Sequence, residues 1–155
     1  MPKKTIDVAD VPTSELLKLE NQVCFPLYAC SKEVVRRYTP YLDELDLTYT
    51  HYLVMMALWE YGDQSVGELG ERLYLDSGTL TPMLKKMEEK GYVERVRSSV
   101  DERRVNVCLT DAGSALKERA REVPISMGQC VNIAPEDAAE LVRILRQVLV
   151  SVRES

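Results

Sequence analysis

At 155 residues the chain has the length of one domain, or of a compact core with extra helices for pairing. Its 45% hydrophobic and 29% charged residues suit an ordinary globular protein, and no apolar run approaches the roughly 18 residues that a membrane span needs. A formal charge of −5 argues against a generally basic surface, so any polyanion partner has to be met locally. Between Arg72 and Arg104 eight Lys/Arg stand against six Asp/Glu, which leaves the remaining residues at −7.

The opening MPKKTIDVADVPTSE carries two lysines and then turns acidic, with no apolar stretch of the kind a signal peptide uses. A cytoplasmic location is expected, and there Cys24, Cys30, Cys108 and Cys130 do not read as structural disulfides. They form no C-x-x-C pair, and His51 is the only histidine, so neither a metal nor a cofactor is expected. Cys24 and Cys30 cannot bridge within one helix, because six residues separate them by ~9 Å along the axis against a limit of ~7 Å.

Residues 1–12 read as a flexible arm. From Thr13 to Leu45 apolar residues recur at helical spacing (Leu16, Leu19, Val23, Leu27, Cys30, Val34), and Pro26 should kink this helix or mark where its regular part begins. LTYTHYLVMMALWEYG is the next helix, capped by Thr48 or Thr50 and ended at Gly62. A short helix follows, opened by the capping-box pair Ser65 and Glu68, with Val66, Leu69 and Leu73 on one face. In SGTLTPMLKKMEEKG, Leu80, Met83, Leu84 and Met87 point inward and Gly91 is the stop.

The period then changes to two. Val93 and Val96 flank a short strand, SSVDERR is a polar turn, and Val105, Val107 and Leu109 alternate with Arg104, Asn106 and Cys108. Thr110 caps a further helix that Pro124 should kink or stop, and a last helix runs from about Pro135 to Val152 on a stripe of Leu141, Ile144, Leu145 and Val148. Tyr28, Tyr52, Tyr61, Trp59 and the methionines are expected in the core or lining a pocket, and His51 on the surface. Cys108 falls on the polar side of its strand.

Two closely spaced helices followed by a hairpin give a mainly α fold with a small β-hairpin wing, an α+β winged helix-turn-helix. Residues 47–110 form that region, and residues 13–46 and 111–155 form helices that pair two copies of the chain. Stripes longer than one small core can cover are expected to pack on a second copy. The second helix of the motif would enter a DNA major groove, its N-terminus first. Ser77, Thr79 and Thr81 supply hydroxyls near that end, with Lys85 and Lys86 further along. At the hairpin tip Arg103 and Arg104 can enter a narrow minor groove, beside an Asp101 able to hold a guanidinium in a fixed fork. Arg95 and Arg97 would meet phosphates at the base of the wing. Two such units related by a two-fold axis stand about one DNA turn apart, ~34 Å, and so select a pseudo-palindromic operator.

LENQVCFPLYACS, LTYTHYLVMMALWE and GERLYLDSGTLTPMLKKMEEKGYVERVRSSVDERRVNVCLTDAG resemble the organic-hydroperoxide-sensing repressors of the MarR family, closely from Leu19 to Gly113 and loosely beyond. The resemblance implies a homodimer that binds double-stranded operator DNA when reduced and leaves it when an organic hydroperoxide, the inducer, oxidises Cys24. It puts the family's phenols at Tyr38 and Tyr49 of the opposite subunit, a resolving cysteine at Cys130 across the dimer, and the wing pair at Asp101 and Arg103. Thr50 and His51 stand where many relatives have Pro-Gln, and Cys30 and Cys108 are extra thiols.

The chemistry is coherent. Only a thiolate attacks peroxide readily, so a sensing cysteine needs solvent access and stabilisation of its charge, which phenol hydroxyls supply by donating to sulfur. Oxidation to a sulfenic acid, trapped by a second cysteine as a disulfide, is reversible. Two other readings stand beside this one. The first is a repressor released by a small phenolic ligand. The second is a thiol peroxidase, against which counts the lack of an arginine nearer to Cys24 in sequence than Arg36.

Overall fold

The computed structural model describes Ala9 and residues 11–154, so the arm expected over residues 1–12 lies almost wholly outside the described residues. Eight helices and three short strands follow in chain order: α1 (Thr13–Leu16), α2 (Cys24–Asp43), α3 (Tyr49–Tyr61), β1 (Gln64–Ser65), α4 (Val66–Leu73), α5 (Ser77–Glu89), β2 (Val93–Arg97), β3 (Val105–Leu109), α6 (Asp111–Ala120), α7 (Glu122–Cys130) and α8 (Pro135–Arg153). This is the expected winged helix-turn-helix, mainly helical, with the hairpin widened to a three-stranded antiparallel sheet of order β1-β3-β2.

α3 is the central helix, and His51, Tyr52, Val54, Met55, Ala57 and Leu58 bury most of its circumference. Thr48 caps it, and Gly62 leaves it at φ 73°, a left-handed conformation that glycine adopts without cost. α4 opens on the capping box read from the sequence: the Ser65 hydroxyl accepts from the Glu68 N–H while the Glu68 carboxylate accepts from the Ser65 N–H. Leu80, Met83, Leu84 and Met87 of α5 are all buried, and Gly91 turns the chain at φ 77° into β2.

β2 pairs with β3 from Val93 opposite Leu109 to Arg97 opposite Val105. Val93 is buried, but Val96 is exposed, because three residues apart on a strand means opposite faces. Two prolines act through the first turn of a helix. Pro26 lies at the third position of α2 and marks its start. Pro124 lies at the third position of α7, and its ring excludes the Ala120 carbonyl from further helix, so α6 ends there.

The periodic stretch expected from Thr13 is broken before Cys24. Asn21 donates to the Glu15 carbonyl at 2.8 Å and Gln22 donates to the Leu16 carbonyl, which folds the chain into a 3-10 turn over Leu19–Asn21. The core spans Leu42 to Val123, and α8 buries none of its residues. Leu141, Val142, Ile144, Leu149, Val150 and Val152 of α8 are exposed in the single chain, as are Leu17, Leu19, Val23 and Phe25 near the other end. No helix among the described residues is long and apolar enough to cross a membrane.

Three placements differ from expectation. His51 is 6% exposed, not on the surface. Its ring is drawn in because it completes the cap of α3, accepting from the Thr48 N–H. Tyr28 is 65% exposed, beyond the reach of the core at the start of α2. Tyr61 is half-exposed at the end of α3, where the Arg72 guanidinium lies 3.5 Å from its ring centre and replaces core packing with a cation–π contact.

Candidate nucleic-acid interface and thiol site

The first turns of α4 and α5 and the hairpin tip enclose a groove of about 590 Å³. Ser77, Thr81, Asp101, Arg103 and Arg104 line it together with Glu68. Ser77, Thr81 and Lys85 fall four residues apart and so share one face of α5. Thr79 faces elsewhere, and its hydroxyl donates to Asp76 at 2.9 Å, extending the cap of α5. Lys86 is exposed on the flank of α5 near His51, and its charge acts on that ring.

The hairpin tip is shaped by short side chains. The Ser98 hydroxyl accepts from the Val100 and Asp101 N–H groups, and the Asp101 carboxylate accepts from the Arg103 backbone N–H at 3.0 Å. Asp101 therefore holds the backbone of Arg103, where a fork on a guanidinium was expected. This Asx turn fixes the backbone at Arg103, whose side chain is exposed. Two of the four wing arginines are already paired. Arg95 makes a two-pronged contact with Glu88 of α5 at 2.8 and 2.9 Å, and Arg104 meets Glu68 of α4 at 2.7 Å. Hydrogen bonds from Ser65, then from Arg104, pull the Glu68 carboxyl down to about 2. Pairs this exposed add little stability, but they fix where the wing stands over the helices. Arg97 and Arg103 carry no ion pair among the described residues.

All four cysteines are free, and Cys24, Cys30 and Cys130 are exposed. Cys24 is the first residue of α2, at the positive end of that helix's dipole. Tyr38 and Tyr49 come together in this chain, their ring centres 4.8 Å apart with Tyr52 behind them. Burial raises the pKa of Tyr38, and the neighbouring Tyr49 adds to the rise; burial alone raises that of Tyr49. Both phenols thus keep their protons at neutral pH and are able to donate. Cys108 is half-buried, and burial and then Asp63 push its thiol up, away from reactivity.

Cys130 lies with its sulfur 3.9 Å from the Tyr41 hydroxyl, a contact that no sequence pattern announced. Tyr41 follows Cys24 by seventeen residues in α2, about 25 Å along the axis and far outside the ~7 Å reach of a disulfide. Among the described residues no cluster of three or more His, Cys, Asp and Glu is placed to hold a metal ion.

A model of the transcriptional regulator SarA/Rot family matches residues 36–120. The organic hydroperoxide resistance transcriptional regulator of Bacillus subtilis (strain 168) is 46% identical over 138 residues, covering 89% of this chain and 94% of that protein. This chain belongs to the MarR family of transcriptional regulators. Among solved structures of the family, AbfR of Staphylococcus epidermidis shares 34% identity over 92% of this chain and 98% of its own, with a TM-score of 0.76. Reduced AbfR bound to DNA superposes with a TM-score of 0.77 at 33% identity, covering 91% and 99% of the two chains. AbfR with its disulfide formed is more distant in shape, with a TM-score of 0.63 at 34% identity over 92% and 97%.

Proposed function

We propose that this MarR-family chain is a dimeric repressor that grips operator DNA while Cys24 is reduced and lets go when an organic hydroperoxide oxidises it. The observation that carries the reading is the exposed sulfur of Cys24 at the first residue of the longest helix. A surface groove in the same chain supports it, lined by the hydroxyls of Ser77 and Thr81 and by Arg103 and Arg104. The exposed apolar stripe of α8 and the N-terminal segment supply the surface for the second copy, with residues 13–46 and 111–155 as the pairing region and 47–110 as the DNA-binding region. Tyr38 and Tyr49, both protonated, are the donors that serve Cys24 of the partner copy.

Peroxide oxygen is transferred to the Cys24 thiolate, giving a sulfenic acid and an alcohol. The Cys130 thiol then displaces hydroxide, released as water, to form a disulfide. Since Cys130 touches Tyr41, which lies about 25 Å along α2 from Cys24 of the same chain, the bridge joins two copies. One equivalent of cumene hydroperoxide is therefore expected to convert the chain to a species of twice the mass on a non-reducing gel, with peptide mapping linking Cys24 to Cys130. A monomeric band with an oxidised Cys24 would remove Cys130 from the reaction.

On the DNA side, Ser77, Thr81 and Lys85 face the major groove and Arg103 the minor groove, while Arg97 meets phosphate. Thr79, Arg95 and Arg104 act by holding α5 and the wing in place, and Lys86 and Asp101 flank the contact. Arg103→Ala is expected to weaken binding to a duplex selected from a random pool by about 1–3 kcal/mol. Fluorescence anisotropy measures this, and an unchanged Kd would take Arg103 out of the interface.

A shallow hollow of about 290 Å³ between α3 and α6 favours a second reading, in which a small aromatic acid is the trigger. It is lined by Tyr52, Met56 and Trp59 beside the cations Lys117 and Arg121. Release from DNA by salicylate under excess reductant would establish it. Catalytic turnover of hydroperoxide with dithiothreitol, in place of a single stoichiometric oxidation, would turn the assignment toward a peroxidase.

A further inference from the structure

His51 occupies the cap of the helix that begins with Tyr49. Its backbone N–H donates to the Thr48 hydroxyl at 3.2 Å, and its Nδ1 accepts from the Thr48 N–H at 3.3 Å, the two halves of a capping box. Glutamate or glutamine ordinarily fills this position, and both accept through oxygen at neutral pH. An imidazole accepts only while neutral. Once protonated, it carries two donors and no acceptor.

The surroundings are set against the charged ring. Burial counts first, followed by Lys90, just past the end of α5, and Lys86 within it, and the N–H groups that open α3 act the same way. Asp46, in the loop before α3, is the one opposing charge, and it is already engaged by Lys90 at 2.7 Å. Tyr49 is the residue most exposed to a loss of this cap. It is the first of the helix, and it holds Tyr38 by ring packing alone at 4.8 Å.

The geometry points to His51 as a positioning residue that makes the seat of Tyr49, and through it the peroxide response, sensitive to acid. This rests on the reading of Tyr49 as a donor to Cys24. Neutral His51 ties down the first turn of α3. A proton taken from solvent at Nδ1 removes the acceptor, leaves the Thr48 N–H unpaired, and loosens Tyr49 from Tyr38. The sign follows from the lowered affinity of the folded ring for a proton. The cap's contribution is complete above about 6.5, where a free imidazole is neutral, and is lost as pH falls through the lower value of the folded state.

The test compares the intact wild type with His51→Gln, which keeps an acceptor at this place and cannot titrate. From pH 8 to 5 the wild type is expected to lose near-ultraviolet tyrosine dichroism and to melt about 2–4 °C below His51→Gln at the acid end. Its Cys24 oxidation by cumene hydroperoxide, followed as free-thiol loss, should fall relative to the variant over the same range. Superimposable profiles for the two proteins would overturn the inference. A melting difference with equal oxidation ratios would overturn the link from the cap to the peroxide reaction. A Cys24 inert at every pH in both proteins would instead fail the proposed function.

Discussion

Cys24→Ser is expected to bind operator DNA as the reduced wild type does and to stay bound after hydroperoxide, while the wild type loses affinity by about 5–150-fold, the span of a typical coupling between two sites. The substitution changes one atom on an exposed side chain at the start of α2, where nothing packs tightly against it. A hydroxyl oxygen is not oxidised by a peroxide, so the chemistry is removed while the shape is kept. On the proposed function the loss in the wild type would come from a disulfide, which requires α7 of one copy, carrying Cys130 beside Tyr41, to approach the start of α2 of the other. Cys130→Ser is the informative companion. It should still lose its Cys24 thiol, form no linked dimer, and drift toward the irreversible sulfinic acid in excess peroxide. Anisotropy titrations before and after one equivalent of cumene hydroperoxide make the comparison. Release of Cys24→Ser at the wild-type dose would place the trigger elsewhere.

The helix-turn-helix was legible because its boundaries obey local rules. Ser65 with Glu68, Thr48, Gly62 and Gly91 each terminate a helix by a bond or a backbone angle that depends on neighbours only. The inward stripe of α5 was equally plain, since Leu80, Met83, Leu84 and Met87 keep helical spacing. What escaped depends on partners far along the chain. β1 is two residues long and exists only because β3 lies alongside it. The wing arginines look alike in sequence, yet Glu88 and Glu68 engage Arg95 and Arg104 while leaving Arg97 and Arg103 outward. His51 was read as a surface residue because a histidine announces no cap as glutamate does. On the thiol side, the pairing of Tyr38 with Tyr49 joins two helices. The Tyr41 contact of Cys130 is separated by 89 positions and had no signal to follow.

A glycine in the first turn of a helix is a case where propensity and packing give opposite signs, and Gly113→Ala tests which prevails. By propensity alone, alanine should stabilise α6 by up to about 1 kcal/mol. A Cβ at Gly113, however, would stand 2.0 Å from the Tyr92 carbonyl oxygen, 3.0 Å from its carbon and 3.2 Å from a methyl of Leu109. Tyr92 cannot retreat without cost, because its carbonyl accepts from the Thr110 N–H at 3.2 Å while the Thr110 hydroxyl donates to Gly91 at 2.6 Å. Nor can α6 move alone: the Gly113 N–H donates to Thr110, and its carbonyl accepts from the Trp59 indole at 3.0 Å. Relief requires α6 to part from the entry to β2, opening the joint that ties the DNA-reading elements to the helices beyond. Gly113→Ala is expected to destabilise the fold by about 3 kcal/mol, the upper end of overpacking, and to lower the melting midpoint by roughly 6–12 °C. Gly128→Ala in α7 supplies the contrast. A Cβ there meets nothing within 4 Å, so alanine should raise the midpoint slightly. If Gly113→Ala melts at or above the wild type, the close approach of α6 to the Tyr92 carbonyl is wrong, and with it the joint that sets the wing against α6 and the helices after it.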